Sequence, residues 1–123
     1  MPNLADHILQ ARHNEIFYEN IDKNAYSDWA MTVLFYAALQ YIDAFLATVG
    51  MVDPGGHGVR DQEVNAQAHL RSIANLYFRL KNRSRNARYY CARFSLGELE
   101  RCRTQDLAQL RNHISPLIGF QQV

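Results

Sequence analysis

Apolar residues recur along this chain at the three- and four-residue spacing of a helix face, and no run alternates with period two between turn residues. This pattern predicts four helices and no strands. The first helix covers about Leu4 to Ile21. Asn3 is placed to cap its free backbone N–H groups, and Asp6 lies in the first turn, where the helix dipole favours a negative charge.

The second helix has the clearest predicted ends. Ser27 offers a cap, Asp28 lies in the first turn, and Gly50 is a natural C-terminal stop. The residues between them, WAMTVLFYAALQYIDAFLATV, are apolar on nearly every face, which is typical of a helix that is buried in a bundle or crosses a membrane. Gln40 and Asp43 lie inside this stretch, and a carboxylate is costly within a membrane. We therefore expect a buried helix and no membrane association.

The next stretch, VGMVDPGGHGVR, is the one long irregular segment, because its DPGG sequence is strong turn chemistry. A third helix is predicted from about Asp61 to Asn82, with a stripe formed by Ala66, Leu70, Ile73, Tyr77 and Leu80. The following RSRNARYYCARF has no clean apolar face.

The last helix opens with the capping box Ser95-Leu96-Gly97-Glu98, and Pro116 near its end indicates a kink or an early stop. Four helices of this kind predict an all-α protein. Its expected architecture is an antiparallel four-helix bundle with a long loop between helices 2 and 3.

Composition is consistent with one soluble domain covering residues 1–123, since 48% of the residues are hydrophobic and 20% are charged. The two cysteines, Cys91 and Cys102, form no CxxC pair. The N-terminal MPNLADHILQ lacks the basic start and the apolar run of a signal peptide. We expect a cytoplasmic protein with reduced thiols.

Charge is distributed unevenly, although the net charge is only +1. Residues 1–63 contain nine acids and three bases. Residues 64–97 contain no acid and seven bases: Arg71, Arg79, Lys81, Arg83, Arg85, Arg88 and Arg93. An acid-free window of this size indicates a surface that attracts phosphate or an acidic partner.

Metal and cofactor chemistry finds no support in the sequence. Helical di-metal proteins use Glu-x-x-His pairs, and no Glu of this chain is followed three positions later by His. His7 and His13 match no ligand spacing and are interpreted as surface residues. The segment GGHG is no phosphate-binding loop, so it is either a flexible turn or a place where His57 and Arg60, at the start of the third helix, contact an anion.

Two further features leave alternatives open. Asp43 needs a buried partner, so it either forms a structural ion pair, for instance with an arginine of the basic segment Arg79–Arg93, or orients an arginine that binds a ligand. The basic segment is either a solvated face that caps helix ends or a binding site. In the second case its arginines bind phosphate and its tyrosines stack on a base, with Arg83, Arg85, Arg88, Tyr89 and Tyr90 as the candidates.

Three pieces of the sequence, in this order, carry a family resemblance: DWAMTVLFYAALQYIDAFLA, HGVR and LYFRLKNRSRNARYY. Together they resemble the bacterial branch of the HEPN superfamily (higher eukaryotes and prokaryotes nucleotide-binding domain), over roughly Asp28 to Tyr90. The resemblance implies an up-and-down four-helix bundle, commonly a homodimer, that binds a nucleotide or RNA. Many members are metal-independent ribonucleases or toxin components of toxin–antitoxin systems, and some are encoded beside a nucleotidyltransferase partner.

Active members carry an arginine followed, after four to six residues, by a histidine, and this chain departs from that signature. Counting from Arg83 or Arg85, Tyr89 or Tyr90 falls where the histidine would be. A phenol, with an ordinary pKa near 10, is a poor general base at neutral pH. The expected function is a catalytically silent nucleotide- or RNA-binding module without a cofactor. The alternatives are a ribonuclease with a degenerate active site, using a base such as His57, and a helical dimerisation or protein-interaction subunit.

Overall fold

Helices make up the fold of this protein, for which the computed structural model describes residues 2–51 and 57–119, with the backbone alone at His57. The described residues contain no β-strand, so the predicted all-α class is confirmed. The helices, in chain order, are α1 (Leu4–Asn20), α2 (Ser27–Thr48), α3 (His57–Ala66), α4 (Ala74–Tyr89), α5 (Leu96–Arg101) and α6 (Ala108–Leu117). A 3₁₀ segment (Ala68–Ile73) precedes α4, and a π segment (Cys102–Leu107) joins α5 to α6.

The predicted capping box at Ser95 is present, and the predicted N-cap Asn3 also forms a capping box, with Asp6. The Asp6 backbone N–H donates to Asn3 Oδ1 at 2.9 Å, and the Asn3 N–H donates back to the Asp6 carboxylate at 3.0 Å. Ser95 and Glu98 make the same reciprocal pair at the start of α5, with both distances 3.1 Å. Each box satisfies two N–H groups that have no partner within the helix. The sequence therefore predicts these two helix starts correctly.

Helix α2 ends as predicted but begins differently. Gly50 follows its end with a φ of 89°, a left-handed conformation that glycine adopts without steric cost. The prediction that Ser27 caps the helix was wrong, because Tyr26 is the N-cap. The Ser27 hydroxyl instead accepts a hydrogen bond from the Phe94 N–H at 3.1 Å, which ties the segment between α4 and α5 to α2.

The single third helix predicted over Asp61–Asn82 is divided in the structure. Gln67 has an extended backbone (ψ 122°), and the chain folds back between α3 and α4. As a result, Tyr77 donates a hydrogen bond to Asp61 at 3.0 Å, and Lys81 pairs with the same carboxylate. In one continuous helix Asp61 and Tyr77 would be about 24 Å apart. The apolar spacing continues through the break, so periodicity alone does not reveal it.

The π segment interrupts the last predicted helix without ending it, and Pro116 lies inside the last turn of α6. The buried Asp106 belongs to this segment. A π turn adds a residue to the helix and thereby changes which side chains face the neighbouring helices. The position of Asp106 between two arginines, described below, depends on this local geometry.

The core is built around α2, which contacts α1, α4, α5 and α6. Phe35, Ile42 and Leu46 are fully buried on this helix, and truncating a side chain of this kind to Ala costs about 2–5 kcal/mol. By length and composition α2 is a candidate membrane span, and 78% of its most apolar window is buried inside the structure. The DPGG turn predicted after α2 lies outside the described residues.

Candidate nucleic-acid interface

One stripe of α2 remains uncovered between α1 and α4. It consists of Trp29, Val33, Tyr36 and Gln40, spaced by four, three and four residues, so these side chains share a helix face. Trp29 is 56% exposed and the other three are half-buried. An apolar, aromatic face left partly open to solvent on a core helix is a candidate for ligand binding.

The stripe forms the floor of a cavity of about 410 Å³ between α1 and α2. Phe17 contributes an aromatic ring from α1, opposite Trp29 and Tyr36 of α2. The polar side chains that line the cavity from α1 are those of Gln10, His13 and Asn14. The site therefore combines ring faces with amide and imidazole groups.

A second cavity, of about 280 Å³, adjoins the first on the side of α4. Ala87, Arg88 and Tyr89 of α4 line it opposite α2. Trp29 and Thr32 line both cavities, so the two are continuous over the first turns of α2. We call the combined surface the aromatic groove.

Arg88 lies at the junction of the two cavities. Its guanidinium carbon is 5.7 Å from the centre of the Tyr36 ring and 5.1 Å from that of Tyr89. The Nη1 atom donates to the Tyr36 hydroxyl at 3.3 Å, and Nε donates to the Ser84 carbonyl at 3.4 Å. Cation–π contacts of this length stabilise by about 0.5–1 kcal/mol each at exposed sites. They hold a planar cation, suited to bidentate contact with phosphate, against aromatic faces.

Arg83, predicted to bind the ligand, lies on another side of α4. Its Nη1 is 3.2 Å from Asp106 and 3.4 Å from Cys102 Sγ. Arg79 contacts the other oxygen of the same carboxylate at 3.1 Å. Asp106 is buried, so these two arginines neutralise an internal negative charge. Burial raises the pKa of the neighbouring Cys102 thiol, which keeps it protonated and unreactive.

Arg85 and Tyr90 are exposed and lie outside both cavities. Among the described residues no salt bridge involves Arg85. Tyr90 is the C-cap of α4 and is 67% exposed. Arg85 lies three residues before Arg88 on α4, and its exposed side chain is accessible to a polyanion that binds along this helix.

Asp43 has a buried partner, and it is Arg60 of α3 rather than an arginine of the basic segment. Arg60 Nε lies 2.7 Å from Oδ1 and Nη2 lies 2.9 Å from Oδ2, a bidentate pair. Burial alone lowers the pKa of Arg60, but the hydrogen bonds and charge of Asp43 raise it above its ordinary value. Asp43 is seven residues, or about 10 Å, further along α2 than Tyr36. The structure therefore places Arg60 beside Asp43 and away from Arg88, and the His57 side chain lies outside the described part.

The binding site predicted from the sequence includes Arg88 and Tyr89, which line the smaller cavity, but not the residues of α2 that line it opposite them. The apolar pattern of α2 predicts burial on every face and so gives no role to Trp29 and Tyr36. His13 is exposed, as predicted, but the prediction that His7 lies at the surface is wrong, because His7 is buried and hydrogen-bonded to Gln40. The Trp29–Val33–Tyr36–Gln40 spacing, with a glutamine on an otherwise apolar helix, is the sequence signal that marks the open face.

The described part of the chain, residues 2–51 and 57–119, offers no site for a metal ion. No group of three or more His, Cys, Asp or Glu side chains in these ranges could hold a metal ion. The chemistry the groove offers is stacking, hydrogen bonding and contact with an anion. No known family model matches the chain, and neither a curated protein nor a solved structure matches it.

Proposed function

We propose that this chain is a HEPN-like module that binds a nucleotide or RNA in the aromatic groove and does not cleave it. The observation that carries the proposal is the junction at Arg88, where a guanidinium is held against Tyr36 and Tyr89 beside the exposed Trp29. Single-stranded nucleic acid is bound by this combination, because every base has a face that stacks on an aromatic ring and every linkage carries a phosphate.

The resemblance to HEPN proteins supplies the rest of the proposal. It implies an up-and-down four-helix bundle, and the contacts of α2 with α1, α4, α5 and α6 support such a topology. It also implies a homodimer in a bacterial toxin–antitoxin or nucleotidyltransferase-associated system. These assignments rest on the resemblance.

Binding is favoured over cleavage because the groove lacks the pairing that active relatives use. A tyrosine, Tyr89 or Tyr90, occupies the position expected for the histidine that follows the arginine. A phenol at neutral pH is a poor acceptor for the proton of a ribose hydroxyl. Arg88 can neutralise a phosphate, but neutralisation alone does not activate a nucleophile.

Fluorescence anisotropy of a labelled single-stranded RNA tests the proposal. The unmodified protein is expected to bind, with an affinity that falls as salt concentration rises. Arg88→Ala is expected to weaken binding about tenfold, since it removes both a phosphate contact and a surface that orders the aromatic rings.

Arg101→Ala is the control, because Arg101 is a helical arginine too, but it is exposed and lines neither cavity. It is expected to bind RNA within about twofold of the unmodified protein, a change on the scale of an ordinary surface substitution. Equal affinity of the Arg88→Ala and Arg101→Ala variants would contradict the proposal, as would binding that does not depend on salt.

A second candidate function is a dimerisation or protein-interaction subunit. Leu9 and Ile16 are 67% and 61% exposed on α1, seven residues apart and so on one face of the helix. Exposed apolar residues at this spacing are typical of a helix that packs against a partner helix. Sedimentation at low and high salt tests self-association through this face, and a monomer under both conditions would exclude it.

A further inference from the structure

The larger cavity contains a hydrogen-bonding pattern that the proposed function does not explain. On α1, Gln10 Nε2 donates to Asn14 Oδ1 at 3.0 Å. This contact uses one of the two N–H donors of Gln10 and one of the two lone pairs of Asn14 Oδ1. Gln10 Oε1 remains able to accept and Asn14 Nδ2 to donate, and both residues line the cavity.

Across the cavity, the oxygen of a third amide already has a partner. Gln40, at the end of the stripe on α2, forms a 2.7 Å hydrogen bond between its Oε1 and Nδ1 of the buried His7. The remaining acceptor and donor on α1 together match the hydrogen-bonding edge of a flat ligand that carries one donor and one acceptor. Phe17, Trp29 and Tyr36 supply ring faces around it.

We propose that this cavity is an adenine-binding subsite. Adenine presents the complementary pair, because its N6 amino group donates and the adjacent ring nitrogen N7 accepts. Its amino group would donate to Gln10 Oε1, and its ring nitrogen would accept from Asn14 Nδ2. Guanine presents two acceptors, N7 and O6, on the same edge, so one of them would face Gln10 Oε1 without a proton between them.

Size and charge agree with a nucleotide that spans both cavities. The larger cavity, at about 410 Å³, lies in the range of small-molecule sites. A purine covers more of an aromatic face than a pyrimidine does, which favours adenine over cytosine and uracil. Arg88 lines the smaller cavity and contacts Tyr36, which lines the larger one. A base bound against α1 in the larger cavity would therefore place its phosphate toward Arg88.

This inference rests on the proposed function and sharpens it, because it makes the groove selective for one base. The selectivity resides in Gln10 and Asn14, which belong to α1, whereas phosphate binding resides in Arg88 of α4. Substitutions can therefore separate the two.

The test is an NMR titration of the protein with AMP, GMP, CMP and UMP, following the indole N–H of Trp29, the only tryptophan in the chain. AMP is expected to shift this resonance with a dissociation constant about tenfold lower than those of the other three nucleotides. Asn14→Leu is expected to raise the constant for AMP about tenfold and to leave that for UMP within twofold.

Gln109→Leu, an exposed glutamine of α6 outside both cavities, is the matched control and is expected to change neither constant. Circular dichroism verifies that each variant is folded. Equal constants for the four nucleotides, or an Asn14→Leu variant that behaves like the control, would overturn the adenine subsite.

The outcomes also separate this inference from the proposed function. If RNA binds with the expected dependence on Arg88 but no mononucleotide shifts Trp29, the adenine subsite is wrong and the binding function stands. If neither RNA nor any mononucleotide binds, both are wrong.

Discussion

The Arg88 guanidinium lies over the ring of Tyr36, 5.7 Å from its centre, and donates a hydrogen bond to the hydroxyl of the same residue. This contact joins α4 to the open face of α2, across 52 residues of sequence. It places the one half-buried arginine of the groove where stacked bases and a phosphate would meet.

Arg88→Lys is expected to weaken RNA binding about fivefold even though the charge is kept. Lysine lacks the planar group that packs on Tyr36 and donates to two phosphate oxygens at once. A fivefold loss of affinity corresponds to roughly 1 kcal/mol of binding free energy. Anisotropy with labelled RNA measures the change. Affinity equal to that of the unmodified protein would show that Arg88 acts only as a point charge.

Asp43→Asn is expected to lower the free energy of unfolding by about 3–5 kcal/mol, because it leaves the buried Arg60 without its counter-charge. Urea denaturation measures this free energy of unfolding. Glu19→Gln, at a carboxylate 59% exposed and 3.6 Å from Arg103, is the matched control and should change the value by less than about 1 kcal/mol. The double variant Asp43→Leu with Arg60→Met is expected to recover most of the loss. A loss for Asp43→Asn no larger than the control's would contradict a buried ion pair.

Arg83 and Arg85 are two residues apart on α4 and are expected to respond oppositely. Arg83→Ala removes a partner of the buried Asp106 and should destabilise the fold, whereas Arg85→Ala should change the free energy of unfolding by less than about 0.5 kcal/mol. Arg85→Ala should instead reduce the salt dependence of RNA binding by about one unit of log–log slope. Paired denaturation and binding measurements test this. The reverse pattern would mean that Arg83 faces the ligand.

Stability is expected to fall at alkaline pH because of three tyrosines. Burial, with added effects from neighbouring carboxylates, raises the pKa values of Tyr18, Tyr41 and Tyr77 well above 10. The unfolded chain ionises these phenols near pH 10 and the native protein does not. The stabilisation is therefore complete below about pH 10 and is lost as pH rises above it. The test is to measure the denaturation midpoint at several pH values between neutral and pH 11, together with tyrosinate absorbance. A midpoint that does not change over this range would contradict the expected loss of stability.

The sequence predicts helix class and most helix ends well, because caps and apolar spacing are local properties. Both capping boxes and the glycine after α2 follow from residues adjacent in the chain. The division of the third predicted helix does not, because the bonds from Asp61 to Tyr77 and Lys81 connect segments that only the folded chain brings together.

The candidate site could be predicted only in part. The sequence shows that arginines and tyrosines are concentrated near the end of α4. It does not show which of these arginines form ion pairs with a carboxylate of the same chain. Arg83 pairs with Asp106, a residue 23 positions later, and only the fold reveals this. The aromatic half of the groove was missed for a related reason, since Trp29 belongs to a helix whose other faces are buried.

Emission from Trp29 tests the central claim most directly, because it is the only tryptophan in the chain and it lines both cavities of the aromatic groove. Stacking of a base on the indole is expected to quench this emission as single-stranded RNA is added, with the same midpoint as the anisotropy titration. Arg88→Ala should raise, by the same factor, the dissociation constants obtained from the two titrations. Binding seen by anisotropy with unchanged Trp29 emission would show that RNA binds elsewhere, and the aromatic groove would not be the site.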